Sequence, residues 1–306
     1  MTTLIATSVI RDPRKGERHE GIYLADLVRG RVARVLDQNT AGADRPGAGW
    51  RGGLRGIAFD RNRVFFAARD ELFAFTPEFK PIGAYRSPYL RQCQGLSVFR
   101  RRLFLVSAGY DSVLGFDLDT MRFSLGLHFA ADDNDFRAMP FDPGGQKGPQ
   151  LANRLELDKV FCNEDGMFIS GRKTLGMLLY GGRRIARVAT LPQGVSDARP
   201  WRGGVLFNDD EAGVVRFVTP DRNHVFRAPR HPARDHKSTN FDGQKSAPVP
   251  LLRGLCVLNE KVVAAGSSPA TITLHDVASM ETTLAINLSQ DPRSAIYALE
   301  VWPYLA

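Results

Sequence analysis

Cysteine is scarce in this sequence, and the three present, Cys93, Cys162 and Cys256, are odd in number. They fall in stretches that read as inner β-strands, which points to buried free thiols in a reducing compartment rather than to a metal or redox site. No apolar run approaches the roughly 20 residues needed to span a membrane. LIATSVI near the N-terminus is too short for a signal segment, has no basic residues before it and is needed as a strand, so a cytoplasmic protein with no membrane partner is expected. Long 3.6-residue apolar periodicities are missing too, so helices should be few. The catalytic signatures that are short enough to read directly are also lacking. No Gly-x-Ser-x-Gly elbow occurs, and Ser170-Gly171-Arg172-Lys173-Thr174 lacks the glycine spacing of a phosphate loop. The Asp132, Asp133, Asn134, Asp135 cluster lacks the glycine and closing glutamate of a calcium loop, and His231, Asp235 and His236 have no helix to align them. A formal charge of +8 raises the question of nucleic acid. The arginines, however, are scattered through turns and mixed with acids, with no interleaved aromatic stripe, so a solvated basic surface is expected and no nucleic-acid partner.

What the sequence does contain is a repeated hairpin. LRGIAFDRNRVFFAA (54–68), QGLSVFRRRLFLVS (94–107) and RGLCVLNEKVVAAG (253–266) share one form, with a polar residue, a small one, an apolar run, a polar turn and a second apolar run. DKVFCNEDGMFISG (158–171) and SDARPWRGGVLFND (196–209) follow it more loosely. In each, the second run begins eight residues after the small or pivot position: Gly56 to Val64, Gly95 to Leu103, Lys159 to Met167, Asp197 to Val205, Gly254 to Val262. Short apolar runs joined by Asp, Asn, Gly or Arg turns read as β-hairpins, and a hairpin recurring along the chain reads as a radial repeat.

A sixth copy is split between the termini. AIYALEVWPYLA supplies its first half, with Ala298 at the pivot, and TLIATSVI, GIYLADL and RVARVLD supply the remaining strands. Joining first and last blades in this way removes the exposed edges an open array would leave. The expectation is an all-β, six-bladed β-propeller spanning 1–306 as a single domain. Its closing blade is formed by a C-terminal inner strand plus N-terminal strands. Spacing between the repeats alternates between short and long, and the extra residues fall in three connections, 37–53, 130–150 and 228–250. Each precedes an inner strand, so all three should emerge on one face, as long loops of the functional or disordered kind.

Inner strands line a propeller's channel, so the residue before each pivot should sit near the channel mouth. That ring reads Arg55, Gln94, Asp158, Ser196, Arg253, Tyr297. Alternation along a strand adds Gln92 above Gln94 and Glu156 above Asp158. Glu300, three residues beyond Tyr297, alternates to the other face and should pair between blades. The ring then has two guanidiniums and a phenol on one side and two carboxylates on the other. Such a bipolar pocket suits an acidic or zwitterionic small molecule. The same residues could equally bridge one another as a structural network.

The blades carrying LELDKVFCNEDGMFISG, ARPWRGGVLFNDDEAGVVRFV and LLRGLCVLNEKVVAAGSS resemble an uncharacterised family of bacterial six-bladed propellers. More distantly they are similar to the NHL, gluconolactonase and strictosidine-synthase propellers. In the uncharacterised family the third-blade motif usually reads His-Leu-Asn-Gly-Leu, with further histidines on neighbouring inner strands. Here Glu156 stands for that His and Asp158 for the Asn, while Gln94 and Ser196 leave the ring without histidine, so no tightly held transition metal is expected. The gluconolactonase likeness implies a divalent cation held by oxygen ligands, toward which Glu156 and Asp158 would contribute. No organic cofactor is expected.

Two functions follow from these residues. In the first, the mouth does acid–base chemistry on a small acidic or zwitterionic metabolite: isomerisation, elimination, cyclisation or lactone hydrolysis. Glu156 or Asp158 is then the base, Tyr297 the acid or donor, Arg55 and Arg253 the anion clamp, and Gln92, Gln94 and Ser196 further ligand contacts. In the second, the propeller is a non-catalytic scaffold whose loops grip a protein partner. A concave, water-excluding ring with a perturbed carboxylate would favour the first, and a broad exposed aromatic patch the second.

Overall fold

The structure is a computed structural model that describes residues 2–11, 21–37, 53–132, 135–229 and 251–304. Six antiparallel sheets stand around a central channel. The first blade runs from the channel outward as Gly56–Asp60, Arg63–Ala67, Leu72–Phe75 and Pro81–Tyr85. The third begins on Leu157–Asn163, the fourth on Val195–Trp201 and the fifth on Leu252–Val257. Among the described residues the only helical turn is the short 3-10 segment Ala108–Tyr110, and none is long and apolar enough to cross a membrane.

The second blade departs from the expected plan. It begins on Cys93–Phe99, but its fourth strand, Arg122–Asp132, runs on into Asp135–Phe141, which pairs with it as a fifth, outermost strand. The first part of the connection at 130–150, up to Phe141, is therefore a hairpin arm rather than a structureless loop. Phe136 and Ala138, both partly buried, alternate there with Asp135 and Arg137, a short period-two pattern that supports a strand. The connections 37–53 and 228–250, and with them His231, Asp235 and His236, lie almost wholly outside the described residues.

The closing blade is ordered Ser294–Val301, Thr3–Ile10, Gly21–Asp26, Arg31–Asp37, so the chain's last strand is the innermost one beside its first. Ala298 N–H donates to Thr7 Oγ1 at 3.0 Å and Trp302 N–H to Thr3 O at 2.8 Å. Beyond that strand, Trp302 stacks on Phe79 at 5.4 Å, and Tyr304 donates its hydroxyl to Arg63 O at 2.9 Å, which clasps the first blade.

Each pair of neighbouring blades shares one apolar cluster, and the alternation of each strand feeds two of them. Phe65 faces the second blade with Leu103 and Leu105, while Val64 and Phe66 face the closing blade with Ile5 and Ile22. Leu206 faces the fifth blade, and Val205 and Phe207 the third. A strand buried on both faces is apolar throughout, which explains the unbroken runs VFFAA and LFLVS. Phe65 and Phe116, both fully buried, meet edge-on at 6.3 Å across the first interface. Removing such a ring costs about 3–5 kcal/mol.

The pivot positions have a physical cause. A Cβ on Gly56 would lie 2.6 Å from Gln94 O of the next blade. One on Gly95 would lie 2.9 Å from Asp158 O, and one on Gly254 3.1 Å from the Ala298 backbone. At these three positions the neighbouring inner strand comes so close that glycine is the residue that fits. Lys159 and Asp197 hold the equivalent positions of the third and fourth blades, and their side chains line the channel.

Candidate functional site at the channel mouth

Five inner strands carry a one-residue β-bulge at the pivot. The register slips between Cys93 and Leu96, Leu157 and Lys159, Ser196 and Arg199, Leu252 and Leu255, and opposite Thr7/Ser8, where Tyr297 is the extra residue. A bulge re-aims the side chains beside it. Asp197 and Gly254 take the left-handed conformation that this needs, with φ of 53° and 76°.

The result is one narrow cavity lined by charged groups, among them Arg55, Asp158, Lys159, Asp197, Arg253 and Glu300, with Gln94 and Tyr297 between them. It encloses about 390 Å³ counting the open mouth, yet its side chains leave room for only about one or two waters. Asp158, 7 % exposed, forms an ion pair with Arg253 Nη1 and accepts from Asp197 N–H at 2.8 Å. Arg253 Nη2 stands 3.8 Å from Asp210 Oδ2, which also pairs with Arg172. Ser196 Oγ donates to Asp210 Oδ1 at 3.0 Å. Lower in the channel Lys159 Nζ lies 3.5 Å from Asp197 Oδ1, whose other oxygen accepts from Gly254 N–H at 2.9 Å. The Arg55 guanidinium lies 5.0 Å over the Tyr297 ring.

These environments shift proton affinities in opposite directions. Burial raises Asp210 from 3.8 to about 6, against the pull of Arg253 and Arg172. Burial likewise raises Asp197, opposed by Lys159, and Glu300, opposed by Lys159 and Arg199. Burial works against the charge on Arg253, but Asp158, Asp210 and Asp197 outweigh it and fix its proton more firmly. For Arg55 burial lowers the proton affinity, and the like charges of Arg253 and Arg69 add to it against the Tyr297 phenol.

Of the residues read from the sequence, Arg55, Gln94, Asp158, Arg253 and Tyr297 come together in this cavity. Three do not line it. Glu156, at φ 48°, turns to the rim and binds Lys173 Nζ at 2.6 Å, with Arg172 Nε at 3.7 Å. Gln92, at φ 54°, stands outside the lining, and Ser196 is fully buried beneath Asp210. In the fourth blade Asp197 takes the position expected of Ser196, one residue later than strict counting gives, because its bulge follows Ser196. Glu300 lines the channel instead of pairing between blades, since the extra residue at Tyr297 shifts the alternation by one. Asp210 and Arg172 come from turns joining second and third strands, outside the repeated inner-strand pattern.

The oxygens of Glu156 and Asp158 are taken by Lys173, Arg172 and Arg253, and the two side chains diverge, so they do not fit an oxygen-ligated ion. Among the described residues no three His, Cys, Asp or Glu side chains come together in a metal-holding group.

Comparison with known proteins supports the architecture. The structure is similar to one in the crystal structure of the nidogen/laminin complex, with a TM-score of 0.60 and 11 % identity over 98 % of each chain. It is equally similar to a protein of unknown function from Bacteroides caccae, with a TM-score of 0.60 and 8 % identity over 99 % of each chain. No family model matches the sequence, and no curated protein matches it. The class defined by fold and neighbours is the six-bladed β-propeller.

Proposed function

We propose that the channel mouth is a small-molecule site for an acidic or zwitterionic metabolite, and that it does acid–base chemistry there without an organic cofactor, in the cytoplasm. One observation carries this reading. Arg253 and Tyr297 line a concave cavity with room for only about one or two waters, and Asp158 and Asp210 stand at the Arg253 guanidinium. Asp197 and Glu300 line the same cavity, with burial raising the proton affinity of Asp197, Asp210 and Glu300. Elsewhere the exposed large apolar side chains among the described residues are scattered aliphatics such as Val28, Ile82, Met139 and Leu151, with no aromatic patch. A ligand carboxylate would replace Asp158 or Asp210 on the Arg253 fork, and Tyr297 would donate to it. Asp210, with a value near 6, holds or yields a proton close to neutrality, which suits it to general acid–base work better than Glu156. The resemblance to bacterial and gluconolactonase-type propellers agrees with isomerisation, elimination, cyclisation or lactone hydrolysis.

Calorimetry against amino acids, keto acids and sugar acids tests this. Arg253→Lys keeps the charge and loses the paired donors, so it should weaken the best ligand by about 2 kcal/mol, or roughly thirtyfold. Arg34→Lys, in the outermost strand of the closing blade, should do little. The ion pairs that now close the mouth favour a second reading, in which they are a structural plug and the propeller is a protein-binding scaffold. Equal binding by the two variants would establish that reading instead.

A further inference from the structure

The pivot positions of four consecutive blades read Gly95, Lys159, Asp197, Gly254. Glycine leaves space at each end of that row, and the two side chains between them meet. A Cβ on Gly95 would lie 3.0 Å from Lys159 Cδ, so the lysine stem runs over the glycine into the channel cavity. There Nζ stands 3.5 Å from Asp197 Oδ1. Both side chains are 11 % exposed, and among the described residues neither makes another ion pair. The second oxygen of the same carboxyl is held by two fixed donors. Asp197 Oδ2 accepts from Gly254 N–H at 2.9 Å and from fully buried Asn208 Nδ2 at 3.4 Å. An amine at one oxygen and two N–H donors at the other place a nucleophile and an oxyanion site around a single carbon. Burial raises the proton affinity of Asp197 against the pull of Lys159. Moving one proton from ammonium to carboxyl removes two buried charges at once, which leaves a neutral amine beside a neutral acid.

We propose that Lys159 and Asp197 condense to an isopeptide bond, a covalent bridge between the inner strands of the third and fourth blades. The Lys159 ammonium gives one proton to Asp197 Oδ1 and becomes an amine. A short movement of the flexible lysine stem brings Nζ onto Cγ, and the charge that develops on Oδ2 is met by Gly254 N–H and Asn208 Nδ2. The Nζ–Cγ bond forms, the Cγ–Oδ1 bond breaks, and Oδ1 leaves as water with a second proton from the nitrogen. The step consumes no oxidant, metal or second molecule. The two groups are 38 positions apart in sequence, and the closed ring holds them side by side, which spares the loss of freedom that a condensation between separate molecules requires. The bridge does not rest on the small-molecule reading, because Arg253, Asp158, Asp210 and Tyr297 keep their side chains intact.

The experiment is intact-mass spectrometry of the full chain after denaturation, followed by tryptic mapping. The wild type should be about 18 Da lighter than its sequence, the mass of one water per chain. Trypsin should fail to cleave after Lys159 and should release a branched peptide that joins the Lys159 and Asp197 segments. Lys159→Arg keeps the positive charge without the amine, and Asp197→Ala removes the acyl group, so each should have its full sequence mass. Wild type at its full sequence mass would overturn the proposal with no variant needed. A water loss that persists in Lys159→Arg, as cyclisation at Asp165-Gly166 would give, would overturn it as well.

Discussion

Replacing Asp158 by asparagine asks whether ion pairs hold the mouth together. The side chains of Asp158 and Arg253 are 7 % and 14 % exposed, so solvent screens the pair little. Asparagine keeps an acceptor for the Asp197 amide but takes the counter-charge from Arg253. Breaking a buried pair from one side costs about 3–5 kcal/mol, and Asp210 near Arg253 Nη2 retains part of the compensation, so the expected loss is about 2–3 kcal/mol. Unfolding entropy of about 2.1 cal/mol/K per residue gives roughly 0.6 kcal/mol/K over 306 residues, hence a midpoint lower by about 3–5 °C. Scanning calorimetry near neutral pH on Asp158→Asn, Arg253→Met and the double variant measures this. The double variant strands neither charge, so its loss should fall short of the sum of the singles. A midpoint shift under about 1 °C, or strict additivity in the double variant, would refute the reasoning.

Two further predictions concern protons. Asp210 is raised from 3.8 to about 6, so the native form holds a proton that the unfolded chain has released. Its contribution is full below the lower value and is lost as pH rises through 6. The stability of wild type relative to Asp210→Asn should decline by up to about 3 kcal/mol between roughly pH 4 and 7, and a flat difference would count against the assignment. Burial pushes the thiols of Cys93 and Cys162 up to about 12 and that of Cys256 upward as well. A thiol-reactive disulfide reagent near neutral pH should therefore label no native cysteine and all three in denaturant; rapid labelling of any one in the native protein would contradict its burial.

The hairpin repeat was legible because its causes are local. Inner strands must approach closely at Gly56, Gly95 and Gly254, and second strands such as VFFAA are buried on both faces, so both features recur at fixed spacing. The split blade followed from the same spacing at Tyr297 and Ala298. The lining was legible only as far as strict alternation holds. Bulges add one residue without a sequence mark of their own, so strict alternation points to Ser196 where Asp197 lines the cavity, and turns Glu300 away from the channel that it lines. Asp210 and Arg172 reach the mouth from turns that lie beside it only once the ring is closed. The strand Asp135–Phe141 carries only a short alternation, and the Gly and Pro residues that follow it give the stretch the character of a loop.

The blade that joins the two ends also orders events in time. The Ala298 amide bonds to Thr7 Oγ1 across 291 positions, so Thr3–Ile10 has no inner neighbour until Ser294–Val301 has been made. At about 5–20 residues per second, the first strand leaves the ribosome roughly 15–60 s before its partner exists. For that interval the strand TLIATSVI, whose Leu4, Ile5 and Val9 are buried in the closed ring, presents an open edge to every other nascent chain nearby. The molecule is therefore most exposed to mispairing, and most in need of a chaperone, while it is being synthesised.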